Sequence, residues 1–396
     1  MPARLALFSG VLKYILDAFF HDLANTCLPM RYESEFRLSL LANTRNLNYG
    51  DRNIKMIRFH QDICLIVICV LNICFNTLYI TADGKNSYSV YAASNGSSDF
   101  NFVAAGDWGC NTDTKETIAN IMDKNPQLVL GLGDYSYQRT ADCWLDYVNP
   151  VEEKMKVVLG NHEIPRDEDR DYFSENANEE FKERFNLSKQ QYYSFTNNNV
   201  HFIALSTEIP ETEHSRQIAF VNNDLIKSSS DPNIDWTIVY FHKPLYTLPG
   251  SLSAEDELRK IYHPIFTKYD VDLVLQAHIH NYQRSYPIIY NNNSDDPAES
   301  IIITNHNKYE YDNPDGQIFV IAGTAGAELG DVIGNSCIGN NQNHDDSTEY
   351  HYMICGYKGF GFLNVNITNN GRILSAKFFG NDNSNIIDQF NITKRF

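Results

Sequence analysis

From residue 99 onward, short apolar runs alternate with stretches in which apolar residues recur at a helical period. The apolar runs predict β-strands, and the periodic stretches predict helices. Predicted strands cover residues 100–105, 127–132, 155–159, 192–196, 201–206, 236–241, 271–276, 318–322, 361–367 and 372–380, and predicted helices cover residues 115–124, 214–227 and 254–269. Strands that alternate with helices are typical of an α/β core whose sheets are covered by helices.

Details of this pattern also predict local structure. The runs 192–196 and 201–206 are joined by three consecutive asparagines, which predicts a β-hairpin. The run 372–380 is expected to pair with the strand at 361–367. The polar stretch 291–316 is expected to be a long surface loop.

A different pattern marks residues 63–80, where the run ICLIVICVLNICFNTLYI contains no charge and is followed by polar sequence. Read from Met56, this run has a basic start and the small residues Ala82 and Gly84 behind it, which predicts a cleaved signal peptide. An uncleaved anchor with its basic side in the cytoplasm is the alternative. A buried core helix is disfavoured, because polar sequence follows directly.

The chain therefore divides into four predicted parts. Residues 1–55 are expected to be an extension absent from the mature protein, 56–84 the signal peptide or anchor, 85–98 a linker, and 99–396 the main folded domain. The expected location is secreted or otherwise extracytoplasmic, a lysosomal location included, with a type II membrane anchor as the alternative.

Sequons and cysteines agree with an extracytoplasmic route. Asn-x-Ser/Thr sequons occur at Asn95, Asn186, Asn292, Asn366 and Asn391. The folded domain contains four cysteines, Cys110, Cys143, Cys337 and Cys355, which allow three pairings. We favour the pairing of sequence neighbours, and the absence of Cys-x-x-Cys spacing disfavours a zinc site.

The formal charge of −18 argues against nucleic acid as a structural partner, because the phosphate backbone would be repelled. The same charge repels a small phosphate ester. Phosphate chemistry on this chain would therefore need a strong local positive charge, which bound metal ions can supply.

Polar residues follow the ends of five predicted strands. They are Asp107, Asp134, Asn161, His242, His278 and His280. Because ligands bind outside the carboxyl ends of strands in open α/β sheets, these side chains are expected to meet at one edge. Carboxylate, amide and imidazole groups are metal ligands, so the pattern predicts a metal centre.

The motifs that carry these residues are Asp107-Trp-Gly109, Gly133-Asp134-Tyr-Ser-Tyr137, Gly160-Asn161-His162-Glu163, Val239-Tyr-Phe-His242 and Ala277-His278-Ile-His280. As a set they resemble the five-motif signature of purple acid phosphatases, a branch of the calcineurin-like metallophosphoesterases. The resemblance implies a four-layer αββα sandwich, in which two mixed β-sheets are flanked by helices and the ligands lie on loops at the C-terminal ends of strands. Residues 99–396 would be the catalytic domain, of the small type that lacks an N-terminal β-sandwich. Ala277 departs from the family, which usually has Gly there.

The resemblance also implies two metals bridged by Asp134. One would be held by Asp107, Asp134, Tyr137 and His280, and the other by Asp134, Asn161, His242 and His278. Two carboxylates and a phenolate suit Fe(III), whereas imidazoles and an amide suit Fe(II), Zn(II) or Mn(II).

The expected activity is that of an acid phosphatase, which hydrolyses phosphate monoesters by in-line attack of a metal-bound hydroxide. His162 is the candidate for general acid and substrate contact. Asn161 is a further candidate substrate contact, as are Tyr135, Tyr246 and Asn281, since the histidines that plant-type members carry after the position of His242 are absent here. A phosphodiesterase or nucleotide phosphohydrolase is the alternative, and a non-catalytic surface binding protein is disfavoured because every ligand is kept.

Overall fold

The computed structural model describes residues 99–395 apart from 167–168, 188–189, 210, 251, 294–299, 335, 339–349 and 383–384. The apolar segment 63–80 and the predicted extension and linker lie outside the described residues. Among the helices that the structure describes, none combines the length and the apolar character that a membrane span requires.

The first β-sheet has seven strands in the order β11-β16-β15-β14-β1-β2-β3. These strands are β1 (Phe100–Ala105), β2 (Leu128–Gly131), β3 (Met155–Val157), β11 (Glu310–Asp312), β14 (Gly361–Thr368), β15 (Ile373–Gly380) and β16 (Ile386–Thr393). Strands β1, β2 and β3 are parallel, and β14 joins β1 from the other side in the antiparallel direction. The sheet is therefore mixed, with β1 in its interior.

The second sheet also has seven strands, in the order β13-β8-β12-β7-β6-β5-β4. They are β4 (Tyr193–Asn197), β5 (Val200–Ala204), β6 (Trp236–Tyr240), β7 (Leu273–Gln276), β8 (Tyr282–Ser285), β12 (Ile318–Ala322) and β13 (Met353–Tyr357). Strands β5, β6, β7 and β12 are parallel, whereas β4, β8 and β13 run against their neighbours. A separate hairpin pairs β9 (Ile288–Tyr290) with β10 (Ile301–Ile303).

The two large sheets pack face to face around a shared apolar core. Alternate residues of the first sheet, such as Phe102 and Val365, lie in one cluster with Phe202 and Leu275 of the second. Because successive strand residues point to opposite faces, the remaining residues of each strand lie on the outer face of their sheet. Helices pack on these outer faces.

Five α-helices lie along the described chain: α1 (Thr112–Asp123), α2 (Asp142–Val148), α3 (Glu175–Arg184), α4 (Glu211–Ser228) and α5 (Asp256–Lys268). Helices α1, α2 and α3 bury residues with the outer face of the first sheet, and α4 and α5 do so with the second. The side chains of Asn111 and Ser174 cap α1 and α3 by accepting a backbone N–H of the first turn. The result is the predicted sandwich of two mixed sheets between helices.

The observed strands and helices can be compared with those predicted from the pattern of apolar and polar residues. The hairpin of β4 and β5 is confirmed, as is the antiparallel pairing of β14 with β15. The stretch 291–316 is not only a loop, because it contains β10 and β11. Helices α2 and α3 and strands β8, β9, β13 and β16 were not predicted.

Two disulfides confirm the predicted pairing of sequence neighbours. Cys110 is bonded to Cys143, and Cys337 is bonded to Cys355. The first disulfide joins the segment after β1 to α2, and the second joins the segment after β12 to β13. Each therefore ties a connection near the carboxyl ends of strands to an adjacent element.

Candidate metal centre

The predicted ligands lie on loops that leave the C-terminal ends of five strands. Asp107, Asp134 and Asn161 follow β1, β2 and β3 of the first sheet, whereas His242 and His278 follow β6 and β7 of the second. Parallel neighbours place their carboxyl ends at the same edge, so each sheet delivers its ligands together. Facing sheets then bring both groups into one cluster.

The backbone of these loops is strained at the ligands themselves. Asp107, Asp134, Tyr137 and His278 have φ angles of 56°, 53°, 54° and 68°, in the left-handed region that side chains other than glycine rarely occupy. Such conformations cost free energy and cluster at functional sites. Here they turn each ligand side chain out of its strand and toward the shared edge.

The first group of ligands surrounds the hydroxyl of Tyr137. The Tyr137 Oη lies 3.1 Å from Asp107 Oδ1, 3.4 Å from Asp134 Oδ2 and 2.9 Å from His280 Nε2. The His280 Nε2 atom is also 3.4 Å from Asp107 Oδ1. One phenol, two carboxylates and one imidazole therefore converge on one small volume.

The second group surrounds Nε2 of His242. This atom lies 3.2 Å from Asp134 Oδ2, 3.3 Å from Asn161 Oδ1 and 3.2 Å from His278 Nδ1. Ligand atoms of Asp134, His242 and His278 all lie within 4.8 Å of one another. Asp134 Oδ2 contacts both groups, which makes this carboxylate their shared member.

Backbone carbonyls orient two of the imidazoles. His242 Nδ1 lies 2.8 Å from the Leu132 carbonyl oxygen, and His280 Nδ1 lies 2.6 Å from that of Glu328. A carbonyl only accepts, so each Nδ1 carries a proton, and Nε2 is the nitrogen that faces the cluster. Metal-binding histidines are commonly oriented in this way.

The cluster attracts positive charge. Burial lowers the pKa of His242, but the charge and hydrogen bond of Asp134 outweigh it and raise that pKa to about 10. In the same way, burial of His280 is outweighed by Asp107, and the pKa of His280 rises to about 9. Burial lowers the pKa of His278 to about 4, helped by the nearby His242. The buried carboxylates thus hold cations beside them against the cost of burial.

Glu163 is a residue of the site that the sequence reasoning left without a role. Its fully buried carboxylate accepts hydrogen bonds from the backbone amides of Asp134, Tyr135 and Gly160, at 2.9, 2.9 and 2.8 Å. It therefore fastens the loop after β2 to the loop after β3. The sequence did contain a signal for this role, because Glu163 lies two residues after Asn161, a predicted ligand, in the same motif.

His162 lies at this cluster, on the side of Asp134. Its backbone N–H donates to Asp134 Oδ1 at 2.9 Å, and its ring Nε2 lies 3.9 Å from Asp134 Oδ2. Its side chain is half-buried, as Asn161 is, so both residues reach the open side of the site.

The other three expected substrate contacts lie in the interior instead. Tyr135 and Tyr246 are fully buried, and their hydroxyls contact the Val158 carbonyl at 2.7 Å and His263 Nδ1 at 2.6 Å. Asn281 is buried too, with its amide oxygen accepting from the Gln283 side chain at 2.9 Å. Their polar atoms are thus engaged inside the protein, which corrects the expectation that they face a substrate.

Ala277 fits against a glycine of the facing sheet. A Cβ atom built on Gly106 would lie 2.6 Å from the Ala277 Cβ, which is closer than real side-chain contacts allow. The methyl group at residue 277 is therefore accommodated because residue 106 has none. Gly133 is under a similar constraint, since a Cβ there would lie 2.6 Å from His242 Nδ1.

The donor set fits a pair of metal ions. Each group contains at least one carboxylate oxygen together with at least one imidazole whose Nδ1 is turned outward, and these are donor types that metal ions take in proteins. All seven predicted ligands are brought together, in two groups that share Asp134.

Comparison with known proteins agrees with this geometry. The family model described as calcineurin-like phosphoesterase matches residues 100–282. Phosphoenolpyruvate phosphatase of Allium cepa is 26% identical over 257 residues, which cover 58% of this chain and 50% of that protein. Purple acid phosphatase 18 of Arabidopsis thaliana is 29% identical over 265 residues, covering 62% and 60%. Acid phosphatase type 7 of Homo sapiens is 29% identical over 229 residues, covering 50% and 48%.

Among solved structures, the purple acid phosphatase from seeds of yellow lupin (Lupinus luteus) matches with a TM-score of 0.61 and 20% identity. The match covers 76% of this chain and 55% of the lupin chain, and at this identity it shows the fold. The chain spans about half the length of the first curated relatives it matches. Residues 100–282 are thus similar to calcineurin-like phosphoesterase domains, and the curated relatives that this part of the chain resembles include purple acid phosphatases.

Proposed function

We propose that the protein hydrolyses phosphate monoesters at a two-metal centre, as an acid phosphatase. The observation that carries this proposal is the sharing of Asp134 Oδ2 between a group around Tyr137 and a group around His242. A single carboxylate between two sets of donors is the arrangement by which two ions are held side by side.

The two groups favour different ions. Asp107, Tyr137 and His280, with Asp134, would hold Fe(III), because phenolate and carboxylate oxygens are hard anionic donors. Asn161, His242 and His278, with Asp134, would hold Fe(II), Zn(II) or Mn(II). When bound, the ions supply positive charge that binds phosphoryl oxygens and lowers the pKa of a water molecule.

The remaining chemistry belongs to residues of this chain. His162 donates a proton to the oxygen of the leaving alcohol, since its half-buried imidazole lies beside Asp134 on the open side of the site. Asn161 contacts the substrate from the same side. Glu163 keeps both ligand loops in place through its three amide hydrogen bonds.

The test is metal analysis of the purified protein together with its visible spectrum and its turnover of two substrates. Two metals per chain, iron among them, and faster cleavage of an alkyl phosphate monoester than of a diester are the expected results. Faster diester or nucleotide cleavage would assign the site to a phosphodiesterase or nucleotide phosphohydrolase. Bound metal without turnover of any ester would support a non-catalytic binding role.

We also propose that the protein enters the secretory pathway, by cleavage after residues 63–80 or by anchoring through them. Disulfides are typical of extracytoplasmic proteins. Of the sequons, those at Asn186 and Asn292 have exposed asparagines and are the expected glycan sites, whereas Asn391 donates its amide to Glu310 at 2.8 Å. N-terminal sequencing and glycan mapping of secreted material test the proposal. An intact Met1 or Met56 terminus in the membrane fraction would show an anchor.

A further inference from the structure

Side chains from the loops after β2 and β3 form a stack beside the predicted metal centre. The ring of His162 lies between those of Tyr137 and Tyr172, with centroid distances of 4.2 and 4.4 Å. The rings of His162 and Tyr172 are nearly parallel, with an interplanar angle of 15°. The guanidinium of Arg166 lies over the Tyr172 ring at 3.9 Å. Tyr137 is a predicted ligand, but Tyr172 belongs to none of the family motifs.

The loop after β3 determines which nitrogen of His162 carries a proton. His162 Nδ1 lies 2.5 Å from the backbone carbonyl oxygen of Asp171, the residue before Tyr172. Because a carbonyl oxygen only accepts, Nδ1 is the donor in this contact. The other nitrogen, Nε2, lies 3.9 Å from Asp134 Oδ2, on the side of the ligand cluster. When both ring nitrogens are protonated, Nε2 is the one that can give its proton to the leaving oxygen.

We propose that Tyr172 is a positioning residue for His162. Its ring fixes the plane of the imidazole, and its place in the chain presents the Asp171 carbonyl to Nδ1, so that Nε2 is directed at the leaving oxygen. This inference rests on the proposed phosphatase function, since it concerns the proton donor of that reaction.

The ring of Tyr172 matters more than its hydroxyl. Among the described residues, the Tyr172 hydroxyl accepts a hydrogen bond only from Asn161 Nδ2. Its length of 3.5 Å is at the limit for a hydrogen bond. The ring, in contrast, is in stacking contact with His162 on one side and with Arg166 through a cation–π contact. Phenylalanine at residue 172 should therefore preserve the function, whereas alanine should lose it.

The experiment compares Tyr172→Ala and Tyr172→Phe with the wild-type holoenzyme. Turnover is measured on an alkyl phosphate, whose leaving group needs a proton, and on nitrophenyl phosphate, whose leaving group does not. We expect Tyr172→Ala to lower kcat on the alkyl ester by about tenfold. Loss of one aromatic contact can reduce the population of the productive His162 orientation by about this factor, and kcat should fall in proportion. Turnover of nitrophenyl phosphate and metal content should change little, and Tyr172→Phe should resemble the wild type.

A second readout does not depend on turnover. In zinc-loaded protein with ¹⁵N-labelled histidine, measured at a pH where the ring is neutral, the His162 signals should show a proton fixed on Nδ1 in the wild type and in Tyr172→Phe. In Tyr172→Ala the proton should move between Nδ1 and Nε2, so that the signals of the two nitrogens become averaged. Tyr269→Ala is the matched control, because Tyr269 is also half-buried under a cation, Lys268 at 4.7 Å, but lies before β7 at the opposite end from His278.

The outcomes separate this inference from the proposed function. If Tyr172→Ala leaves both the leaving-group dependence and the His162 signals unchanged, Tyr172 does not position His162. If His162→Ala itself has normal turnover on the alkyl ester, the proton donor is misassigned, and the nitrogen signals alone then decide the role of Tyr172. Equal losses on both esters together with loss of metal would show a merely structural role and would also overturn the inference.

Discussion

The carboxylate of Glu163 accepts the backbone N–H of Asp134 at 2.9 Å, so a buried acid holds in place the residue that both ligand groups share. Its Oε2 atom also accepts the N–H of Gly160 at 2.8 Å. Among the described residues, no other side chain joins the loops after β2 and β3 through as many hydrogen bonds. The geometry of the metal centre thus depends on a residue that is not a ligand.

Replacing Glu163 by glutamine should destabilise the protein and weaken its metal binding. The amide group of glutamine would turn an N–H toward at least one backbone N–H, and leaving that donor unsatisfied costs ~1–3 kcal/mol. Thermal unfolding and metal content of Glu163→Gln measure both effects. Glu257→Gln is the control, because Glu257 is 84% exposed and should change neither. Unchanged stability and metal content in Glu163→Gln would contradict the role given to this residue.

Replacing Tyr137 by phenylalanine should remove the colour of the oxidised protein. The wild type is expected to be purple or pink through charge transfer from a tyrosinate to Fe(III), and Tyr137 Oη is the phenol oxygen beside Asp107 and His280. Visible absorption of both proteins at equal iron content tests this prediction. Stoichiometric metal without a visible band in the wild type would exclude the Fe(III) assignment.

Replacing His162 by alanine should lower turnover of an alkyl phosphate by ~10²–10⁴-fold, the size of a general-acid contribution. The loss should be smaller for nitrophenyl phosphate, and both metals should remain bound. Steady-state kinetics on the two esters and metal analysis measure these effects. Loss of metal in His162→Ala would instead indicate that the imidazole supports the ligand loops.

Replacing Asp388 by asparagine should cost ~3–5 kcal/mol of unfolding free energy, because it leaves a buried cation without its partner. Arg284 of β8 is fully buried, and its Nη2 donates to Oδ1 of Asp388 in β16 at 2.9 Å, so this pair joins the two sheets. The exposed pair of Lys358 and Asp331 is the control, and Asp331→Asn should change the free energy of unfolding little, because exposed ion pairs contribute little. Denaturant unfolding compares the two variants, and equal costs would contradict the prediction.

Stability should fall in acid partly through His263. Burial lowers the pKa of this histidine from 6.5 to about 3, so the folded protein keeps it neutral while the unfolded chain takes up a proton below pH 6.5. The contribution of neutral His263 to the free energy of unfolding is therefore complete above pH 6.5. It is lost as the pH falls from 6.5 toward about 3, at up to ~1.4 kcal/mol per pH unit. Unfolding of wild type and His263→Gln at several pH values measures the difference. If the free energy of unfolding depends on pH in the same way in both proteins, His263 does not cause the loss of stability in acid.

Sequence alone predicted the elements that place the ligands, because parallel strands have an apolar pattern and their ligands follow at fixed positions. It could not predict β8, whose buried residues include Gln283 and Arg284. Such polar side chains are tolerated there because partners from other segments satisfy them, and partners distant in the sequence leave no local pattern. For the same reason, Tyr135 and Tyr246 could not be assigned to the interior, since an aromatic residue with a polar tip suits a rim as well as a core.

The strand that begins the described domain lies in the interior of its sheet, and this has a consequence for folding. Phe100 of β1 pairs with Ile367 of β14, and Asp107 accepts the backbone N–H of His278, a residue 171 positions later in the chain. Contacts of such long range close slowly, because the entropy of a large loop is lost before any pairing compensates for it. During synthesis, Asp107 therefore emerges long before His278, its partner in this contact. A metal ion that needs ligands from both sheets would then bind only after these distant segments have met.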